Sequence, residues 1–510
     1  MNRNNLLVNR ILSASLDGIE AKVVEVEASV TKGLPSLTIV GLASSDIQEA
    51  KERAKSALAA NNFTLPPYKI TINLSPSDIK KSGTHFDLAI ASLITLNQEE
   101  IKHKNLFLFG ELGLDGRVKG SSLLFPIILS LKEQNLIEHA IVPKSAMDAL
   151  QYIVDINFYP VENLNEAIAI LKKEQLPKPF CAQKSLEAQK IVINGQEYFF
   201  TKEYKEDFKD IKGQELAIRA SLIAAAGGHN ILLNGSPGSG KTMIAKRMQY
   251  ILPPLSKKEI LSIAKHQFLD KQEASFKAIR PFRSPHHSAT PAAIFGGGSH
   301  NSKIGEVALA NNGILFFDEL PHFSSKVLEA LREPMQDRVI NIARVNSKIS
   351  YEANFLFVGA MNPCPCGNLL SKNKNCRCTE VEIKRYQNRL SDPFLDRIEL
   401  YVTMQEVDFN KKALHSSSSL HKEVIKAFIF QKKRKQTALN AHLNESEIKK
   451  FCTLNLEAND ILEKAITQFA LSYRSINNIK KVARTIADLD ESTHIEKKHI
   501  LEALNFRKRD

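Results

Sequence analysis

The run Gly235-Ser236-Pro237-Gly238-Ser239-Gly240-Lys241-Thr242 follows the apolar stretch Ile231–Leu233 and leads into a helical pattern. Glycines at these spacings let backbone N–H groups curl around phosphate oxygens with no side chain in the way. Lys241 can reach β- and γ-phosphates, the Thr242 hydroxyl can ligate Mg²⁺, and the positive end of the helix adds attraction. The strand-loop-helix context therefore reads as a nucleotide site for ATP and Mg²⁺.

Such a site needs an acid for the metal and a base for water. The stretch "NNGILFFDEL" is an apolar strand ending in Asp318-Glu319. Acids at the carboxyl end of a strand in an open α/β sheet lie where ligands bind. Asp318 is expected to hold Mg²⁺ and Glu319 to polarise the attacking water. A third strand, "NFLFVGAMN", ends at Asn362, whose amide could orient that water. Positive charge for the γ-phosphate has three candidates: Arg397 after a short helix, Arg474 near the start of a helix, and Arg484 farther along it. A single arginine is more often a surface ion pair, so position alone does not choose among them.

Four of the chain's six cysteines, Cys364, Cys366, Cys376 and Cys378, follow Asn362 as C-x-C, nine residues, C-x-C. Four thiolates on one loop suit tetrahedral Zn²⁺, although this spacing is tighter than the usual two to four intervening residues. Reduced structural thiols and a redox pair are the alternatives, and a cytoplasmic location disfavours stable disulfides. Paired His286-His287 reads as a structural or DNA-contact feature in preference to a metal pair, because adjacent side chains diverge on most backbones.

The elements that must carry these residues can be read in outline. The chain has 510 residues, too many for one core, with 43% hydrophobic and 25% charged residues, the profile of a soluble protein. No secretory signal or membrane-length apolar run is seen; "LLFPIILSL" reads as core, and the expected location is cytoplasmic. Net charge is +13, compatible with a polyanion partner. Residues 421–510 hold 18 Lys/Arg against 12 Asp/Glu, and the "QKKRK" run at Gln431–Lys435 is either a solvated helix face or a nucleic-acid contact.

Residues 1–175 alternate strands ("AKVVEVEASV", "LPSLTIVGL", "YKITINLSP") with helices ("SDIQEAKERAKSALAANN", "DLAIASLITL"). A linker is expected over 176–204, an α/β nucleotide-binding core with a parallel sheet over 205–405, and a helical region over 406–510 with a loop at Ser416–Ser419. Two insertions in the core, 282–306 and 337–355, could face a pore; the second reads as a hairpin with Arg344 and Lys348 near its tip.

Taken together these segments resemble the AAA+ ATPases. The stretches "RPFRSPHHSATPAAIFGGG", "GEVALANNGILFFDELPHFSSKVLEALREPMQD", "AMNPCPCG" and "VARTIADL" look like the magnesium-chelatase-like branch, most closely the YifB/ComM family, over nearly the whole chain. The resemblance implies that Asn362 is the sensor-1 residue, Arg397 an arginine finger acting on a neighbouring subunit, and Arg474 the lid's sensor-2 arginine, with Arg484 competing for that last role. It implies a ring, most simply a hexamer. It also implies a DNA motor and helicase that drives branch migration on single-stranded or branched DNA during homologous recombination or natural transformation, beside recombination proteins. A magnesium-chelatase-type motor subunit and an ATP-dependent protein unfoldase are the alternatives.

The stretch from Gly33 to Val118 is similar to the domain that accompanies this family's ATPase, with the α+β fold of the Lon protease catalytic domain (ribosomal S5 domain 2-like). Proteolysis of the Lon type needs a Ser nucleophile and a Lys base. Those positions fall at His85 and near Phe125, so the domain is expected to be a non-proteolytic scaffold.

Overall fold

The computed structural model describes residues 9–97, 99, 101–180, 184–297, 303–343, 348–371, 373–406 and 412–507. It forms two compact units. One holds the chain up to Leu186 together with 264–275 and 343–350; the other holds Glu187–Ile263, Phe276–Ile342 and Tyr351–Asp510.

The first unit is built on a seven-stranded mixed sheet in the order Ser36–Val40, Lys69–Ser75, Glu20–Thr31, Asn9–Asp17, Leu106–Leu108, His139–Pro143, Asn157–Val161. Its central pairs, Asn9–Asp17 with Glu20–Thr31 and the latter with Lys69–Ser75, are antiparallel; the outer pairs are parallel. Helix Ser45–Ala60 buries Ile47, Ala50, Ala54, Ala57 and Leu58, the i, i+3, i+4 positions of one face. Helix Asp87–Thr95 is buried on nearly all sides, as its apolar composition requires. Its first residue, Asp87, is buried but paired with Arg53 at 2.6 Å. Ile349, from the tip of the expected hairpin, packs on Gly18 within this unit, 2.6 Å from where a Cβ would stand. Arg344 and the side chain of Lys348 lie outside the described residues.

The first unit holds no Ser-Lys pair at the aligned positions. His85 is fully buried, with Nε2 2.8 Å from the Ala14 carbonyl, and burial pushes its imidazole down to about 4. Phe125 is buried in helix Leu124–Glu133.

The second unit is centred on a five-stranded parallel sheet in the order Phe282–Arg283, Ile314–Phe317, Leu356–Met361, Ile231–Gly235, Leu400–Met404. Its three central strands are buried along their length, the pattern of a sheet covered on both faces. Register sets the site: Phe317 lies opposite Gly359 and Asn234 opposite Met361. The carboxyl ends that carry the phosphate loop, Asp318 and Asn362 therefore open on one edge.

Three local expectations change. The span expected as linker contains an antiparallel hairpin, Gln189–Ile193 with Gln196–Phe200, turned at Asn194-Gly195 with positive φ at both residues. That dipeptide is the strongest short hairpin signal, set here among charged residues that hide the strand pattern. Ser416–Ser419 is not a loop: Ser416 caps helix Ser417–Lys433 with a reciprocal bond to Ser419, so polar residues mark a helix start. The helical region expected as a separate lid shares one hydrophobic core with the sheet, in which Leu233, Ile244, Val424, Ile486 and Ile500 all take part. Its long helix Tyr473–Leu489 is tied to the sheet side by His229 Nε2 and Thr485 Oγ1 at 2.7 Å.

Candidate nucleotide site and cysteine cluster

The phosphate loop runs from strand Ile231–Gly235 to helix Lys241–Met248. Gly240, the residue just before the helix, has φ +92°, a left-handed conformation that only glycine adopts without penalty. Lys241 is buried. Its Nζ donates to the carbonyls of Gly235 at 2.6 Å and Ser236 at 3.0 Å, and to Asn362 Oδ1 at 3.1 Å. Burial holds this ammonium below the ordinary lysine range, opposed by the charges of Asp318 and Glu319. The buried hydroxyls of Ser236 and Ser239 have no hydrogen-bond partner among the described residues, so the loop keeps donors in reserve for an oxyanion.

Thr242 Oγ1 donates to Asp318 Oδ2 at 2.8 Å. A hydroxyl and a carboxylate converge here, the hard oxygen donors that Mg²⁺ takes, so these residues would fit that ion. Glu319 stands beside them in a left-handed backbone conformation, φ +52°, which costs a non-glycine residue about 1 kcal/mol or more. Its N–H donates to Asp318 Oδ1 at 2.9 Å. Its Oε2 lies 3.5 Å from His287 Nδ1.

The Asn362 side chain accepts from Lys241. Burial pushes the nearby Tyr386 phenol above the ordinary range, opposed by the Asn362 backbone. Gln214 was not singled out from sequence. Its amide joins the Ser239 carbonyl at 3.2 Å to the Gln405 carbonyl at 2.6 Å, closing the phosphate loop against the end of the sheet. A glutamine in a helix-start sequence carries no distinguishing signal.

The three arginines separate. Arg484 is fully buried and spent on Asp488 at 3.0 Å and on the Ser492 and Thr493 carbonyls, so it is a structural residue of the lid. The exposed Arg474 and the half-buried Arg397 converge on one amide: Gln336 Oε1 lies 2.7 Å from Arg474 and 3.0 Å from Arg397. Arg397 also donates to the Arg332 carbonyl at 3.0 Å. Burial, and then the neighbouring charges of Arg474 and Arg332, lower its proton affinity. Asn230 is a second residue missed from sequence. Its side chain donates to the Arg397 carbonyl at 2.8 Å and accepts from Phe357 N at 2.9 Å, joining the turn that carries Arg397 to the strand Leu356–Met361.

Of the basic run at Gln431–Lys435, Lys432 is bonded to the Gln436 and Thr437 carbonyls and Arg434 to the buried Asp488. Two of its cations thus serve the fold, while Lys433 and Lys435 are exposed.

The four cysteines form a cluster whose sulfurs all lie within 4.8 Å of one another. Cys364 Sγ is 3.5 Å from Cys366 and 3.7 Å from Cys376, and Cys366 is 3.6 Å from Cys376. A tetrahedron with Zn–S bonds of about 2.3 Å has edges of roughly 3.8 Å. The sulfurs are also met by backbone donors: the N–H groups of Asn368 and then Arg377 hold the Cys366 thiol down at about 6. Such N–H donors are the usual support of metal-bound thiolates.

A parallel sheet with phosphate loop, Asp-Glu and Asn on one edge, and arginines presented on a turn and a helix, defines a P-loop ATPase of the AAA+ class. Family models agree in detail. "Magnesium chelatase, subunit ChlI" matches residues 207–412, "Subunit ChlI of Mg-chelatase" 26–146, and "Magnesium chelatase, subunit ChlI C-terminal" 414–507. The competence protein ComM of Haemophilus influenzae is 37% identical over 508 residues, 98% of this chain and 97% of that protein. Escherichia coli YifB is 38% identical over 502 residues, covering 96% and 95%. The magnesium-chelatase 67 kDa subunit of Heliobacterium mobile is 23% identical over 184 residues, 30% of this chain and 27% of that protein. The chain belongs to the YifB/ComM family of magnesium-chelatase-like AAA+ ATPases. No helix among the described residues is long and apolar enough to cross a membrane.

Proposed function

We propose that the protein is the subunit of a cytoplasmic ATP-driven ring, most simply a hexamer, that moves on single-stranded or branched DNA and promotes branch migration in homologous recombination or natural transformation. Within each subunit Lys241 would bind the β- and γ-phosphates, Thr242 and Asp318 would hold Mg²⁺, which when bound would supply positive charge at the phosphates, and Glu319 would take a proton from the attacking water that Asn362 orients. The observation that carries the ring is the pairing of Arg397 and Arg474 on the exposed Gln336, a cationic pair presented outward for a neighbour's γ-phosphate. Support for the DNA reading comes from the full-length likeness to a competence protein and the net charge of +13. Recombination proteins are the expected partners.

The cysteine loop is read as a structural Zn²⁺ site, with Cys364, Cys366, Cys376 and Cys378 as ligands. A three- or four-strand branch-migration assay tests the function, with Lys241→Ala as control. ATP-dependent movement of the branch by the parent protein alone is the expected result; turnover stimulated only by unfolded protein, with a stationary branch, would overturn it.

A further inference from the structure

At the amino ends of the central strands, the edge opposite the phosphate loop, the second unit holds a cavity of about 680 Å³. Gly228, Gly313 and Leu356 in its wall precede or begin the strands Ile231–Gly235, Ile314–Phe317 and Leu356–Met361. At about 3.3 Å per residue these strands put roughly 15–20 Å between the cavity and the phosphate loop, so its occupant is not the nucleotide at Lys241. Five cations line it, Lys258, Arg280, Arg338, Lys432 and Lys435, against one carboxylate, Glu259. That carboxylate is already engaged: it accepts from the Ser256 N–H and hydroxyl at 2.7 Å each and pairs with Arg280 at 3.5 Å. Arg280 otherwise donates to the carbonyls of Pro253, Pro254 and Asn312, and Lys432 to those of Gln436 and Thr437. Carbonyls satisfy N–H groups without cancelling their charge. The Arg338 guanidinium has one hydrogen bond among the described residues, a long one of 3.3 Å to the His442 carbonyl. Burial lowers its proton affinity, opposed by the charge of Glu447. Tyr198 and Phe428, edge-on with centroids 5.0 Å apart, supply an apolar wall.

Cations drawn together out of water are costly unless an anion meets them. Five positive charges less one carboxylate leave four, more than a single carboxylate ligand can balance. A diphosphate brings about three negative charges, on oxygens that a guanidinium takes in pairs. The volume also falls within the roughly 300–1,000 Å³ of small-molecule sites. We propose that this cavity binds a small anion bearing two or more phosphate groups, at a site separate from that of ATP. Arg338 holds the phosphates through its unpaired N–H groups, Arg280 and Lys432 add charge, and the exposed Lys258 and Lys435 draw the anion in. The Arg338 carbonyl accepts from Ala353 N at 2.8 Å at the base of the hairpin Val339–Ala343 and Lys348–Glu352, so an anion on Arg338 steadies that base.

The test is calorimetric titration of full-length Lys241→Ala protein, whose phosphate loop is disabled, with pyrophosphate and with ADP in the presence of EDTA. One equivalent of pyrophosphate should bind saturably. Adding Arg338→Gln should weaken it about ten- to a hundredfold, the range for hydrogen bonds to a charged group. Lys258→Glu with Lys435→Glu, at exposed positions where the fold is not at stake, should weaken it by about threefold or more. ADP binding more tightly than pyrophosphate would mark a nucleotide as the ligand, and equal or weaker binding a bare oligophosphate; either supports the site. No saturable binding, or an affinity unchanged in either variant protein, would overturn the proposal. So would displacement of pyrophosphate by a single-stranded oligonucleotide at equal phosphate concentration, which would assign the cavity to a nucleic-acid backbone.

Discussion

Gly367 of the cysteine loop lies against Pro237 of the phosphate loop: a Cβ on Gly367 would stand 2.6 Å from Pro237 Cδ, and its φ of +78° already favours glycine. Two loops separated by more than a hundred residues thus meet through a position where any side chain must push. We expect Gly367→Ala to weaken ATP binding about tenfold, equivalent to ~1.4 kcal/mol of strain and displacement. Titration with a fluorescent ATP analogue measures it, and an affinity within twofold of the parent would refute the contact's importance.

Loosening the cysteine loop should act differently from pushing on it. Protein purified without an affinity tag should contain about one equivalent of zinc, and less than about half an equivalent counts against the site. Cys376→Ser should lose the metal and lower ATP hydrolysis more than ATP binding, because Asn362 stands two residues before Cys364 and loses its anchor.

Glu319→Gln should bind ATP and assemble while hydrolysis falls by about 10²–10⁴-fold, the usual contribution of a general base. Lys241→Ala should lose nucleotide binding itself. Comparing equilibrium binding with turnover for the two variants separates the roles.

Arg397→Ala and Arg474→Ala should each cut turnover by about 10³-fold or more, as expected for arginines that stabilise charge on the phosphoryl group, with ATP affinity much less affected. The informative measurement is mixing. Lys241→Ala subunits supply intact arginines and Arg397→Ala subunits supply intact phosphate loops, so mixtures should hydrolyse ATP faster than either variant alone. Additive rates would place the arginines in their own subunit's site.

Acid should loosen the junction between sheet and lid. Burial holds His229 down at about 3, so it is neutral in the folded protein, whereas in the unfolded chain it gains a proton near the ordinary 6.5. The unfolded state then binds more protons below pH 6.5, and stability falls progressively from there towards pH 3. The slope is about 1.4 kcal/mol per pH unit for such a group. Thermal melts at pH 7.5 and pH 5 should show a clear drop, smaller in His229→Gln.

The ATPase half was legible because its chemistry is local in sequence. Lys241, Thr242, Asp318 and Asn362 each end or follow an apolar strand, and a parallel sheet then has one edge at which to gather them. Arg484 shows the limit. In sequence it is as plausible a phosphate ligand as Arg474, and only the buried Asp488, one helical turn away, reveals that its charge is already spent. Gln214, Asn230 and Gln336 act through single hydrogen bonds across sequence separations of 25 to 191 residues, which no local pattern encodes. The hairpin at Asn194-Gly195 was readable from its turn but was masked by charged flanks.

Gln336 offers one carbonyl oxygen, and both of its lone-pair directions are taken by guanidinium groups. An anion arriving from a neighbouring subunit, as proposed, would have to win both arginines from the same atom. Release of one leaves the other with a better-accepting oxygen and one like charge fewer beside it, so the second is held more firmly than the first. An amide with no part in the chemistry would thereby order the two departures: a partial contact draws one guanidinium, and only a full γ-phosphate draws the second.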